Sequence, residues 1–125
     1  MKRKDLIFGL SVAESMPSTA VTGGEFGTGI DSLNTYASKH IVLAGAVGTD
    51  IIFKLQESAD DSVYTDVPGS QMIGGVNSFT ILATGGDNTA TQAGGFNLQR
   101  YSRVAVVSGA GTISAISEVD DDLSV

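Results

Sequence analysis

The side chains in this chain whose types could do chemistry are an acidic group, a lone histidine, three tyrosines and a pair of arginines. Glu57, Asp60, Asp61 and Asp66 crowd one short stretch, and Ca²⁺ favours several hard oxygen ligands of the kind that turns supply. The stretch lacks the Asp, Gly and terminal Glu arrangement of an EF-hand, so it reads as a solvated hairpin tip rather than a metal site. His40 sits inside an apolar run, where a hydrogen-bonded structural role outweighs acid–base work. A Ser-His-Asp set is available by composition, yet no serine stands in a nucleophile-elbow sequence. Tyr36, Tyr64 and Tyr101 could stack on sugar rings, but tyrosines along strands more often fill the margin of a core with the hydroxyl at the surface. Arg100 and Arg103 fall on opposite faces of a strand if alternation holds, and one of them can reach a hairpin carboxylate. The expectation is a protein with no catalytic residue, no cofactor and no bound metal.

The elements that must position these residues are strands. Ile51, Phe53 and Leu55 alternate with Lys54 and Gln56, the period-two pattern of a strand with one wet face. Ser58 to Ser62 is small and acidic, and Val63 to Val67 resumes the strand, so 51–67 reads as a β-hairpin. A hairpin alone is marginal in water and needs neighbours. Lys39 to Ala44 reads as a central strand covered on both faces, with Gly45 to Asp50 as its turn. Phe26 to Leu33 reads as a short strand and turn, Gln71 to Ile73 as a short edge strand, and Ser78 to Ala83 as another strand. Thr89 to Asn97 is a polar segment whose Gly94-Gly95 pair suggests a bulge. Arg100 to Ser108 is a second clear strand, Gly109 to Gly111 its turn, and Thr112 to Val119 the last strand. The core expected from this reading is Ile41, Leu43, Ile51, Phe53, Leu55, Val63, Phe79, Ile81, Val104, Val106 and Ile113. Short strands with glycine turns between them argue an all-β antiparallel β-sandwich, jelly-roll-like or Ig-like, over 25–125. Residues 1–24 read as an extended N-terminal arm.

Length and charge narrow the partners. At 125 residues the chain is one domain, able to bury roughly two-thirds of its unfolded surface. Without cysteine it has no disulfide or thiolate metal site. A net charge of −7 repels phosphate backbones, so nucleic acid is not an expected partner. No run approaches the ~20 apolar residues of a membrane span, and Asp5 interrupts what would otherwise resemble a short secretory leader. Lys2, Arg3 and Lys4, followed by Leu6, Phe8 and Leu10, are the candidate contact residues of the arm. Asp120, Asp121 and Asp122 form an acidic counterpart near the other end.

Phe53-Lys54-Leu55-Gln56-Glu57-Ser58-Ala59-Asp60-Asp61-Ser62 with Tyr64-Thr65-Asp66-Val67, the earlier Gly27-Thr28-Gly29-Ile30-Asp31 and the later Arg100-Tyr101-Ser102-Arg103-Val104 together resemble small structural proteins of tailed-bacteriophage heads. The resemblance covers about 27–107, and its hairpin words are its most specific part. It implies a β-sandwich that coats or reinforces a capsid as a decoration or cement protein and supplies no catalytic residues. The partners it implies are the major capsid protein and further copies of this chain, in a homo-oligomer for which a trimer is one option. The implied location is the capsid surface of the virion, after synthesis in the host cytoplasm. The alternatives are a neck or tail component and a surface-displayed carbohydrate-binding β-sandwich. The latter predicts a concave aromatic patch with carboxylates and amides beside it.

Overall fold

The computed structural model describes residues 3–4, 10–32 and 37–120. In chain order the elements are β1 (Arg3–Lys4), β2 (Leu10–Val21), β3 (Ile30–Asp31), β4 (Ala37–Ser58), β5 (Thr65–Asp66), a 3-10 turn (Gly69–Gln71), β6 (Phe79–Ile81), β7 (Ala90–Phe96) and β8 (Tyr101–Asp120). Every pairing is antiparallel, and the eight strands form one sheet ordered β1-β2-β8-β4-β5, with β3 also on β8 and both β6 and β7 on β4. The all-β antiparallel class expected from the sequence is what the chain adopts.

The sheet becomes a sandwich because its two longest strands bend. β4 and β8 run 22 and 20 residues. One end of the pair, with β2 and β7, makes a first leaf; the other end, with β3, β5 and β6, makes a second. In the first leaf the inward residues of β4 are even-numbered, Ser38, His40, Val42 and Ala44; in the second they are odd-numbered, Ile51, Phe53, Leu55 and Glu57. β8 switches likewise, from Ser102, Val104 and Val106 to Ile113, Ala115 and Ser117. Side chains alternate with a period of two, so a change of parity requires interruptions in the ladder. The β4–β8 register shifts between Ala44 and Val47, Val47 and Thr49, Thr49 and Ile52, and Ile52 and Phe53. At the bend β8 passes so close to β4 that a Cβ on Gly109 would lie 2.6 Å from the Ile51 Cα, and Gly109 has φ +112°. Only glycine suits that position. The inner faces then meet: His40 Nε2 lies 2.9 Å from Ser102 Oγ across the interior.

Several sequence expectations change for one reason, that the glycine-rich stretches bend strands rather than end them. Gly45 to Asp50 and Gly109 to Gly111, read as turns, lie inside β4 and β8. Gly94 and Gly95 sit in β7 with unbroken register against β4, from Ala37↔Phe96 to Leu43↔Ala90, so no bulge forms there. Ile41 and Leu43 are not core residues, because His40, Val42 and Ala44 take the inward positions; Ile41 is partly exposed and Leu43 is 40% exposed. Val63, at the hairpin tip beyond the two-residue β5, is 70% exposed.

The segment read as an arm is also revised. Leu10–Val21 is extended, but it pairs with β8 from Leu10↔Asp120 to Val21↔Gly111 and buries Met16 and Val21 in the core. Alternation was hard to see there because the register shifts around Ser15 to Ser18. Residues 10–21 therefore belong to the sheet.

The remaining core follows the expectation. Ile51, Phe53, Leu55, Ile81, Val104, Val106 and Ile113 are buried, and Phe79 packs against them with its ring stacked on Phe53 at 5.2 Å. Each such aromatic or branched side chain contributes about 1.5–3 kcal/mol of burial. On the edge of β4 away from β8, between the β6 and β5 pairings, the Asn77 side chain bonds the Leu55 backbone. Its Oδ1 accepts from Leu55 N (2.8 Å) and its Nδ2 donates to Leu55 O (2.8 Å) and Val67 O (2.9 Å).

Candidate binding groove at the hairpin

The hairpin tip is built by its own acids. Asp60 Oδ1 accepts hydrogen bonds from Ser58 Oγ, Ser62 N and Val63 N, an Asx-type closure of the turn. These bonds, that of Val63 first, hold the exposed carboxyl below its ordinary pKa. Asp61 takes φ +60°, a left-handed conformation that Asp tolerates better than most residues, and accepts from the Tyr64 hydroxyl. Burial, then the bond to Asp61, raises the Tyr64 pKa, so the phenol stays a donor. Asp66 lies further along, bonded to Lys54 Nζ (2.9 Å) and Gln56 Nε2 (3.2 Å). Glu57 points inward and accepts from Gln99 N. The four acids considered as a calcium set thus face different partners, and among the described residues no three metal-ligating side chains come together.

Tyr64 turns its ring onto Arg103 of β8. The guanidinium carbon lies 3.9 Å from the Tyr64 centroid and 3.9 Å from that of Phe26, so the cation is held between two rings. Its Nε donates to Gln56 Oε1 at 3.0 Å. A guanidinium stacked in this way has already lost its rotamer freedom, which makes it a preorganised donor. The strand chemistry explains the placement: Arg103 pairs with Gln56 in register, and the Phe26↔Ala105 bridge sets Phe26 beside it. Gly29 completes the arrangement, since a methyl there would overlap the Tyr64 hydroxyl and Asp61 Oδ1.

Phe26, Gly29, Asp61, Tyr64 and Arg103 line an open groove of about 560 Å³ that also includes Glu25, Thr28 and Met16. The Glu25 carboxylate accepts from Gly23 N (2.8 Å), Thr22 N (3.0 Å) and Thr22 Oγ1 (3.1 Å), and the backbone bonds lower its pKa. A smaller hollow of about 250 Å³ adjoins it, sharing Glu25, Phe26 and Arg103.

Of the other residues weighed, Arg100 pairs with Asp31 at 2.8 Å and lies over Tyr101, so it is Arg103, not Arg100, that meets the hairpin, through Gln56 and Tyr64 rather than a carboxylate. His40 is fully buried and hydrogen-bonded to Ser102, the structural role expected of it. Among the arm residues, Arg3 and Lys4 form β1 against Val12 and Ser11, and Leu10 begins β2. Lys2, Leu6, Phe8, Tyr36, Asp121 and Asp122 lie outside the described residues. Phe26, Glu25 and Gly29 carried no signal as site residues, because their neighbours in the groove come from β8 and the hairpin tip.

No protein-family model matches the chain. No curated protein matches it by sequence either. Among solved structures, the fold is similar to that of the SPBc2 prophage-derived protein YomS, with TM-score 0.57 and 12% identity over 93% of this chain and 98% of that one. It is also similar to the PBSX exported protein XepA, with TM-score 0.58 and 15% identity over 87% of this chain and 36% of XepA, so the chain spans about a third of that protein. At these identities the likeness is one of fold.

Proposed function

We propose that this chain is a bacteriophage virion structural protein without enzymatic activity, a decoration or cement protein that binds the capsid surface as a homo-oligomer. The observation that carries the reading is the outer face of the first leaf. Ile41 and Ile116 stand opposite each other there, Leu43 is the next outward residue of β4, and Ala90 pairs with Leu43 from β7. A one-sided antiparallel sheet normally turns polar residues outward at the centre of such a face. Apolar residues on two central strands instead suit contact with another subunit. Lys39 and Glu118, paired at 3.2 Å beside Ile41 and Ile116, give the margin both charge signs, which suits a self-complementary contact. The fold likeness to the SPBc2 prophage-derived protein YomS supports a phage setting.

The test uses Leu43→Asp, which faces outward and leaves the core intact. Sedimentation velocity of the native chain is expected to give an oligomer, and co-sedimentation with phage heads assembled without it is expected to give saturable binding. L43D is expected to lose assembly while still unfolding cooperatively, with a melting temperature that no longer rises with protein concentration. A native chain that is monomeric and ignores heads would refute the proposal. Removal of 1–24 is unsuited to this purpose, since it deletes β2 with Met16 and Val21.

A further inference from the structure

The outer face of the first leaf carries a polarity that runs across its strands. In one row Gln92 of β7, Ile41 of β4, Ile116 of β8 and Glu14 of β2 stand in register, each paired with the next. In the row on one side of it Lys39 pairs with Glu118, and in the row on the other side Leu43 pairs with Ser114. Cross-strand partners share a face, so these residues point away from the buried His40, Val42, Ala115 and Ser117. The donors Gln92 and Lys39 thus lie on the β7 and β4 side of the face, and the carboxylates of Glu118 and Glu14 on the β8 and β2 side. Lys39 Nζ is 3.2 Å from Glu118 Oε2 and donates to Gln92 Oε1 at 3.5 Å. With its Oε1 accepting, Gln92 keeps its Nε2 hydrogens for another acceptor, and Glu14 is an exposed one.

We propose that two copies of this chain pack these faces together about a two-fold axis that runs along the strands, between β4 and β8. The inference rests on the oligomer contact proposed for this leaf and fixes its geometry. Such an axis lays β4 on the partner's β8 and β7 on the partner's β2 without changing rows. Lys39 then meets Glu118 of the partner subunit, Gln92 meets the partner's Glu14, and Ile41 meets the partner's Ile116; each contact occurs twice. Leu43 meets the partner's Ser114, whose small side chain leaves room for it. The strands of the two faces stay near parallel, as in aligned sheet packing. The two Lys39 and Glu118 pairs stack with alternating sign, a network in which every charge gains a second opposite neighbour. The other two-fold in the plane of the face, across the strands along the Ile41 row, lays each strand on its own copy. It sets Lys39 against Leu43 and Glu118 against Ser114, which desolvates both charges with no opposite charge from the partner. Charge complementarity therefore selects the first axis.

The experiment follows assembly of the full chain by sedimentation velocity over a range of concentrations, for native protein, Lys39→Glu, Glu118→Lys and an equimolar mixture of the two variants. Native protein is expected to form a dimer or an even-numbered oligomer built from dimers. Each single variant places like charges across the axis and is expected to weaken assembly about tenfold or more. In the mixture the introduced acid meets the introduced base, and native Glu118 meets native Lys39. Mixed dimers are therefore expected at concentrations where neither variant assembles alone, a rescue that a pair acting only within one chain cannot give. Melting curves check that each variant folds. Gln92→Glu and Glu14→Lys, which leave the Lys39 and Glu118 pair intact, repeat the same singles-and-mixture test if either of the first variants melts early. A native trimer, a K39E variant that assembles within about twofold of native, or a mixture that stays monomeric overturns the two-fold geometry and leaves the leaf contact standing. A native monomer overturns both.

Discussion

The two ends of the sandwich interior are built from different material. Toward the bend, Val42, Ile51, Phe53, Leu55, Val104, Val106 and Ile113 close on one another as an apolar core. Toward the other end, the inward positions of the same strands hold Ser38, His40, Glu57, Ser58, Ser102 and Ser117. Ser102 joins the leaves there, with Oγ 2.9 Å from His40 Nε2 and 3.4 Å from Ser38 Oγ. Among the described residues, His40 Nδ1, Ser117 Oγ and Ser15 Oγ have no hydrogen-bond partner. The comparison teaches that burial alone does not make a core. The first end gains free energy from area removed from water; the second must recover the desolvation of its polar groups through specific bonds, and does so incompletely.

Each end can be broken separately. Phe53→Ala removes the ring stacked on Phe79 and leaves a cavity among fully buried neighbours, so a loss of about 3–5 kcal/mol is expected from urea denaturation. An effect below about 1 kcal/mol would show that the apolar end does not carry the fold.

The polar end should instead reveal itself through pH. Burial pushes the His40 pKa down from 6.5 to about 4, so the folded chain holds the ring neutral. Between those values the unfolded chain binds the extra proton, and stability rises with pH. The contribution is complete above about pH 6.5 and is lost as pH falls through about 4, a change of roughly 3 kcal/mol. Unfolding free energies at pH 7, 5.5 and 4 would measure it. The native slope should exceed that of His40→Gln across this window, and equal slopes would remove His40 as the cause.

The smallest effect expected is that of Ser117→Ala. Its hydroxyl is buried without a partner, so removing it should leave stability within about 0.5 kcal/mol of native or raise it. Thermal melts of this variant beside Ser102→Ala, which deprives His40 of its bond and should cost about 1–3 kcal/mol, sharpen the contrast between a satisfied serine and an unsatisfied one.

The apolar end was legible in the sequence and the polar end was not, for a reason visible in β4. In Ile51 to Gln56 hydrophobicity and direction coincide, so period two identifies the inward face. In Lys39 to Ala44 nearly every residue is apolar, and the pattern cannot choose between Ile41 and Leu43 or His40 and Val42 as the inward set. The choice falls to the first-leaf register, in which His40 faces Ser117 and reaches Ser102 across the interior. The groove was half legible: the sequence offers Tyr64 as a stacking ring and Arg103 as one of two arginines able to reach the hairpin, but separately. Their meeting with Phe26 depends on β8 lying between the hairpin strand and the 26–31 segment.

The order of amino acids by itself determined the all-β class, the hairpin and the apolar half of the core, because strand alternation and turn chemistry are local properties of neighbouring residues. Only the tertiary structure decided that the glycines bend two long strands instead of ending them, that Leu10–Val21 belongs to the sheet, and that Arg103 rests between two rings. Those outcomes depend on which backbone approaches which across tens of residues, and no local pattern encodes that approach.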